Sequence, residues 1–199
     1  MSESRRHILE AVCTNRPAPA ELPSLDGQWL TFADPLEQFC AVLSSIGAHA
    51  VVLRDPQAAN DWLFAQANYA EMPNRISLVN RIGDSTFSLD DLSQPHELAQ
   101  LDWAVLPGAF GVAENGAVWI TDDTARHRAV YFLCEHLVLV LPAGQIVCNM
   151  HEAYKRLAGF GTEDAPPFGN FIAGPSKTAD IEQSLVIGAQ GPRSLAVLL

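Results

Sequence analysis

Positive charge is scarce in this chain. Twelve Lys and Arg stand against twenty-three Asp and Glu, a formal net charge of −11 over 199 residues. Surfaces that hold nucleic acid or anionic membranes need clustered basic side chains, so this balance argues against both partners. The deficit is also local: no Lys or Arg occurs from Ile82 through Ala125, a stretch that carries eight carboxylates. Basic residues return at Arg126, Arg128, Lys155, Arg156, Lys177 and Arg193, so a small organic anion would be drawn to the C-terminal half. Cysteine is sparse as well. Cys13, Cys40, Cys134 and Cys148 form no CxxC and keep no regular spacing, which reads as buried thiols in a reducing compartment. An iron–sulfur cluster held by this chain alone would want several closely spaced cysteines. No apolar run reaches the length of a bilayer span, and the polar start Met1–Glu10 has no apolar signal segment. The expectation is a soluble, cytoplasmic protein without membrane insertion.

Several chemical signatures are missing too. Without a GxSxG elbow there is no support for Ser-His-Asp catalysis, and without GxGxxG none for a dinucleotide fingerprint. Gly169-x4-Gly174 followed by Lys177-Thr178 approaches a P-loop, but Pro175 and Ser176 separate the second Gly from the Lys, so that reading is rejected. Cys134-x-His136 and Cys148-x2-His151 are soft-ligand pairs of loose spacing with no HExxH beside them, and no metal site is assigned.

What is present is an alternation of helix and strand signals. Ile8, Leu9, Val12 and Cys13 share one helical face, and Pro17, Pro19 and Pro23 begin a linker to about Gly27. Asp34-Pro35 opens a second helix with Leu36, Phe39, Cys40, Leu43 and Ile46 as its apolar stripe and Gly47 as its stop. Strands are expected at Ala48–Leu53, Arg75–Val79, Leu101–Pro107, His136–Leu141 and Ser194–Leu199, with helices at Pro56–Tyr69 and Asn149–Ala158. A short helix is expected within Asp122–Phe132, and Gly83–Gln100 reads as acidic and turn-rich. Val112 to Ile120 reads as strand, Asn-Gly turn and strand. This predicts an α/β fold: an open, mixed, mostly parallel sheet with helices on both faces. Residues 1–27 would form an N-terminal helix and linker, and 28–199 a single α/β domain.

Two corners carry the candidate chemistry. The apolar run Phe168–Ala173 stops at Gly174-Pro175, and Ser176, Lys177 and Thr178 would then open a short helix with Asp180 and Glu182 in its first turn. A strand, a tight turn and a helix start make an anion-receiving corner. Lys177, one of two lysines, would hold a phosphate or carboxylate, or form an imine, or simply be a solvated loop lysine. The other corner is Glu114-Asn115-Gly116. Glu114 lies in an apolar stretch, where partial burial would raise its pKa and suit it to act as general base or nucleophile; alternatively it satisfies backbone donors of the turn. Asp122-Asp123 reads as a turn or cap, and Arg126-His127-Arg128 as a solvated helix surface able to guide an anion.

Together these segments resemble the lactate-utilisation (LUD) domain family, in particular its short C-subunit-like members. The resemblance rests on Val112-Ala113-Glu114-Asn115-Gly116-Ala117, Asn149-Met150-His151-Glu152-Ala153-Tyr154, Gly174-Pro175-Ser176-Lys177-Thr178-Ala179-Asp180-Ile181-Glu182, Leu185-Val186-Ile187-Gly188 and Gly191-Pro192-Arg193. It covers residues 100–199 strongly. Many members carry Glu-Thr-Gly where this chain has Glu114-Asn115-Gly116, and Gln190 stands where a His is expected. The resemblance implies a fold like that of glucosamine-phosphate deaminases, ribose-phosphate isomerases and CoA transferases. It also implies a part in oxidising L-lactate to pyruvate, with the clusters held by separate iron–sulfur partner subunits and no cofactor in this chain. A stand-alone sugar-phosphate or acyl-CoA enzyme, and a scaffold serving only protein contacts, are the alternatives.

Overall fold

The computed structural model describes residues 3–21, 23–121, 125, 127–157, 159–160, 168–178 and 184–199. Its centre is a five-stranded, wholly parallel sheet. The strands are β1 (His49–Val51), β2 (Arg75–Ser77), β3 (Trp103–Pro107), β6 (His136–Val140) and β11 (Ser194–Leu198), in the order β1-β11-β6-β3-β2. The antiparallel strands expected from the Asn-Gly turn do not join it. They form a second, four-stranded sheet ordered β7-β4-β5-β8, made of β4 (Phe110–Val112), β5 (Ala117–Thr121), β7 (Ile146–Val147) and β8 (Gly169–Ile172).

Alternation along the parallel strands sends successive side chains to opposite faces. Ala104, Leu106, Leu137, Leu139, Leu195 and Val197 pack with Phe39 and Leu43 of α2 (Pro35–Ser45) and with Val118 and Ile120 of the second sheet. Val105, Val138, Ala196 and Leu198 point the other way, onto Ala59 and Leu63 of α3 (Pro56–Phe64). Both faces are therefore covered, which is why these strands read as nearly continuous apolar runs. Asp34 and Asp55 cap α2 and α3 by accepting the amides of Glu37 at 2.9 Å and Ala58 at 2.8 Å, each with Pro at the first helical position.

Three expectations change. α1 (Glu3–Thr14) forms, yet it buries none of its residues; Ile8, Leu9 and Val12 stay exposed because no described segment lies against their stripe. Of the four thiols expected to be buried, only Cys134 is, and burial pushes its pKa up to about 12; Cys40 and Cys148 are half-buried, and Cys13 is exposed on that same helix. No helix opens at Ser176. Lys177–Thr178 is instead a strand, β9, paired antiparallel with β10 (Val186–Ile187), so the backbone groups after Gly174-Pro175 are satisfied by a partner strand. The short helix of the 122–132 region is α4 (Val130–Leu133), and Asn149–Ala158 becomes α5 (Met150–Leu157).

Candidate functional site

The two corners meet. β5 and β8 pair antiparallel with Val118 opposite Ile172 and Trp119 opposite Phe171. Continued two residues beyond the ladder, this register sets Gly116 opposite Gly174. Both have positive φ, +70° and +75°, the left-handed region that glycine enters without steric cost. Both also close on one residue. A Cβ at Gly116 would lie 3.1 Å from Ile46 Cδ1, and a Cβ at Gly174 would lie 3.1 Å from the Ile46 carbonyl oxygen. Ile46 is the C-cap of α2, so the end of that helix is the seat for both turns.

The charged side chains of the corners go to two different helix ends, one of them the seat itself. Lys177 is exposed, and its Nζ donates to the Ile46 carbonyl, placing a cation at the negative end of α2. Glu114 is exposed rather than partly buried, because it stands at the tip of the turn. Its Oε2 accepts the amide of Met150 at 2.9 Å, placing an anion at the positive end of α5. Asn115 closes its own turn by accepting the Ala117 amide through Oδ1 at 3.0 Å. Pro175 is buried, Ser176 exchanges backbone bonds with Pro192 and Gly188 at 2.8 and 2.9 Å, and Thr178 lies opposite Val186. Asp180 and Glu182 fall outside the described residues, as do Asp122, Asp123 and Arg126. Arg128 lies with its guanidinium 3.6 Å from the centroid of the Phe168 ring.

The segment Asn149-Met150-His151-Glu152 is a reciprocal helix cap. Asn149 Oδ1 accepts the Glu152 amide at 2.9 Å, and Glu152 Oε2 accepts the Cys148 amide at 2.8 Å. Asn149 is buried and its Nδ2 also donates to the Leu30 carbonyl at 2.7 Å, while His151 stacks on Trp29 with centroids 3.5 Å apart. The start of α5 thus joins Glu114 on one side to the segment around Trp29 on the other. Among the described residues, no three His, Cys, Asp or Glu side chains gather where they could hold a metal ion. Of the two Cys/His pairs, His151 stacks on Trp29, and His136 Nδ1 lies 2.7 Å from Ser194 Oγ.

That last contact was not visible as a site in the sequence. Trp103, His136 and Ser194 are each the first residue of an apolar strand, and the parallel register sets them side by side. The available signal was the shared position: three polar-capable residues each leading a buried strand.

The architecture defines an α/β protein with a parallel sheet between helical layers and a smaller mixed sheet carrying the turns at Glu114 and Gly174. The family follows from the comparisons: the LUD domain model matches residues 88–199, more than half of the chain, and the protein belongs to that family. It is similar to Lactate utilization protein C of Shouchella clausii, 35% identical over 118 residues, covering 58% of this chain and 52% of that protein. Lactate utilization protein C of Exiguobacterium sp. is 29% identical over 136 residues, covering 65% of this chain and 59% of that protein. The chain thus spans little more than half the length of these curated relatives. A crystal structure of a DUF162 family protein from Deinococcus radiodurans superposes with a TM-score of 0.58 over 83% of this chain and 96% of that one. At 18% identity this likeness speaks for the fold alone.

Proposed function

We propose that this protein takes part in L-lactate utilisation, as a non-redox component of a system that oxidises lactate to pyruvate beside iron–sulfur partner proteins. Family membership and the names of the similar proteins support the lactate assignment. The observation that carries the mechanistic part is the convergence of the Glu114-Asn115-Gly116 turn and the Gly174-Pro175 corner on Ile46. Two segments far apart in sequence, both within the stretch that the family model matches, build one rigid ledge. In this reading the ledge, with Ser176 and the Lys177–Thr178 strand β9 that follows it, receives a small carboxylate or the surface of a partner. Lys177 supplies the positive charge. The clusters belong to the partners, and electrons do not pass through a group of this chain.

The test is genetic and biochemical. Deletion should abolish growth on L-lactate while sparing growth on pyruvate, and the wild-type gene should restore it. Affinity-tagged protein should co-purify with proteins that contain iron–sulfur clusters. Unimpaired growth of the deletion strain on L-lactate, in the absence of a second copy, would overturn the assignment.

A further inference from the structure

A cavity of about 370 Å³ opens at the amino ends of the parallel strands, on the opposite face of the sheet from the ledge. Its floor is a cross-strand row. Trp103 of β3 lies beside His136 of β6, which lies beside Ser194 of β11, each pair in register. His136 stacks on Trp103 with centroids 4.4 Å apart and 25° between ring planes, and its Nδ1 is 2.7 Å from Ser194 Oγ. Helix α3 and the turn after it bring Trp62, Gln66 and Asn68 to the other wall, and His49 stands on β1. A parallel strand covered on both faces needs no such residues. Burying imidazole and hydroxyl among them costs free energy that a purely structural row of Val and Leu would avoid.

The lining decides what would fit. None of the residues lining this cavity is Asp, Glu, Lys or Arg. Three charges outside the lining act on His136: Arg193 Nη1 binds Glu135 Oε1 at 2.5 Å, that carboxylate stands 3.9 Å from His136 Nε2, and Asp102 Oδ2 accepts the Asn74 amide at 2.9 Å. A desolvated anion or cation would find no ammonium, guanidinium or carboxylate among the lining residues to pair with. What the walls do offer is ring surface, from Trp62, Trp103 and His136, and uncharged hydrogen-bonding edges. The Gln66 amide nitrogen is committed to the Trp62 carbonyl at 2.9 Å, which leaves its oxygen to accept. Ser194 retains bonding capacity whichever tautomer His136 adopts. The volume lies in the range of small-molecule sites.

We propose that this cavity binds a small, uncharged, planar heterocycle bearing amide-like donors and acceptors, of the nucleobase or nicotinamide class. The ring lies against the aromatic walls, and its polar edge meets Ser194 and the carboxamides of Gln66 and Asn68. The site is separate from the ledge at Ile46, and its lining has no Lys or Arg to hold the carboxylate of lactate.

Isothermal titration calorimetry at neutral pH, with adenine, uracil and nicotinamide as probes, tests this. At least one probe should bind with a Kd of about 1 mM or tighter, and Ser194→Ala and His136→Phe should each weaken it roughly tenfold. His136→Phe keeps a ring over Trp103 and removes the bond to Ser194; Ser194→Ala removes a single oxygen and keeps the proposal testable if the ring replacement fails to fold. Circular dichroism melting reports folding of each variant. Failure of all three probes to bind, an unchanged Kd in both folded variants, or displacement of the probe by L-lactate or inorganic phosphate would each overturn the proposal. None of these outcomes bears on growth on lactate, so the two readings stand or fall separately.

Discussion

The carboxylate of Glu114 accepts the amide of Met150 across 36 residues of sequence, and so fastens the tip of one hairpin to the first turn of α5. Lys177 does the converse at the end of α2, through the Ile46 carbonyl. An anion meets a helix N-terminus and a cation meets a helix C-terminus, the favourable sense in both cases. Two residues that sequence reasoning singled out for chemistry thus each secure a helix end beside the ledge.

Each of these caps has a measurable stability. Glu114→Ala should cost about 1 kcal/mol and Glu114→Gln less, since the amide oxygen still accepts the Met150 bond without the charge. Lys177→Met should cost about 0.5–1 kcal/mol for the same class of reason. Urea denaturation at low salt measures all three. If lactate growth falls far more steeply in Lys177→Met than in Glu114→Ala at equal stability, the ledge uses that cation as well as being held by it.

The glycines divide into those that backbone geometry demands and those it does not. Gly116→Ala forces a residue with a side chain to φ +70° and brings its Cβ to 3.1 Å from Ile46 and 3.2 Å from Val42. A loss of about 1–3 kcal/mol follows. Gly169→Ala should be at least as damaging, because the added carbon overlaps the Trp119 ring and the Ile120 carbonyl where β8 pairs with β5. At Gly144 nothing lies within 4 Å of the added carbon, so Gly144→Ala is the control, with a melting temperature close to that of the wild type.

His136 gives stability a pH dependence of definite sign. Burial pushes its pKa below the ordinary 6.5; Arg193 adds to that, while Glu135 and Asp102 oppose it. The unfolded chain therefore takes up the proton first as pH falls. The contribution is complete above the unfolded value and is lost as pH drops from about 6.5 toward the folded pKa. Asp84 acts lower on the scale, since its hydrogen bonds from Arg75 hold its carboxyl below the usual range, against the opposing effect of burial. Its contribution is present above the unfolded carboxylate value and disappears as pH falls through the folded one. Denaturant midpoints followed from pH 7.5 to 5 should decline in the wild type and flatten in His136→Gln, whereas Asp84→Asn should flatten the profile only at more acidic pH.

The strands and helices were largely legible because local signals and burial agree. Asp-Pro caps, the Asn-Gly hairpin and the apolar runs each named an element that exists. Legibility failed where a non-local partner decided the outcome. Ser176-Lys177-Thr178 has the composition of a helix start, yet Val186–Ile187 lies alongside Lys177–Thr178 and makes a two-stranded ribbon. The burial expected for Glu114 followed from its apolar neighbours, but those neighbours belong to the strands while Glu114 sits at the exposed tip between them. Trp103 and Ser194 carry no signal singly and His136 only that of its neighbour Cys134, and only the parallel register makes them a row.

Asn149 tests how far that non-locality reaches. One buried carboxamide accepts the Glu152 amide through its oxygen and donates to the Leu30 carbonyl, 119 residues away, through its nitrogen. Asn149→Ala removes both bonds, frays the start of α5 and leaves the Leu30 carbonyl without that donor, for a cost of about 1–3 kcal/mol. Asn149→Asp keeps the acceptor for the Glu152 amide but takes away the amide donor to Leu30 and the long 3.5 Å bond to Glu152 Oε1, so it should hold α5 better than Asn149→Ala while loosening Leu30. Hydrogen exchange resolves the two: protection at the beginning of α5 should fall in Asn149→Ala and persist in Asn149→Asp. Protection around Trp29 and Leu30 should fall in both. Equal protection of the Trp29 segment in wild type and Asn149→Asp would mean that the Trp29–His151 stack alone holds it in place.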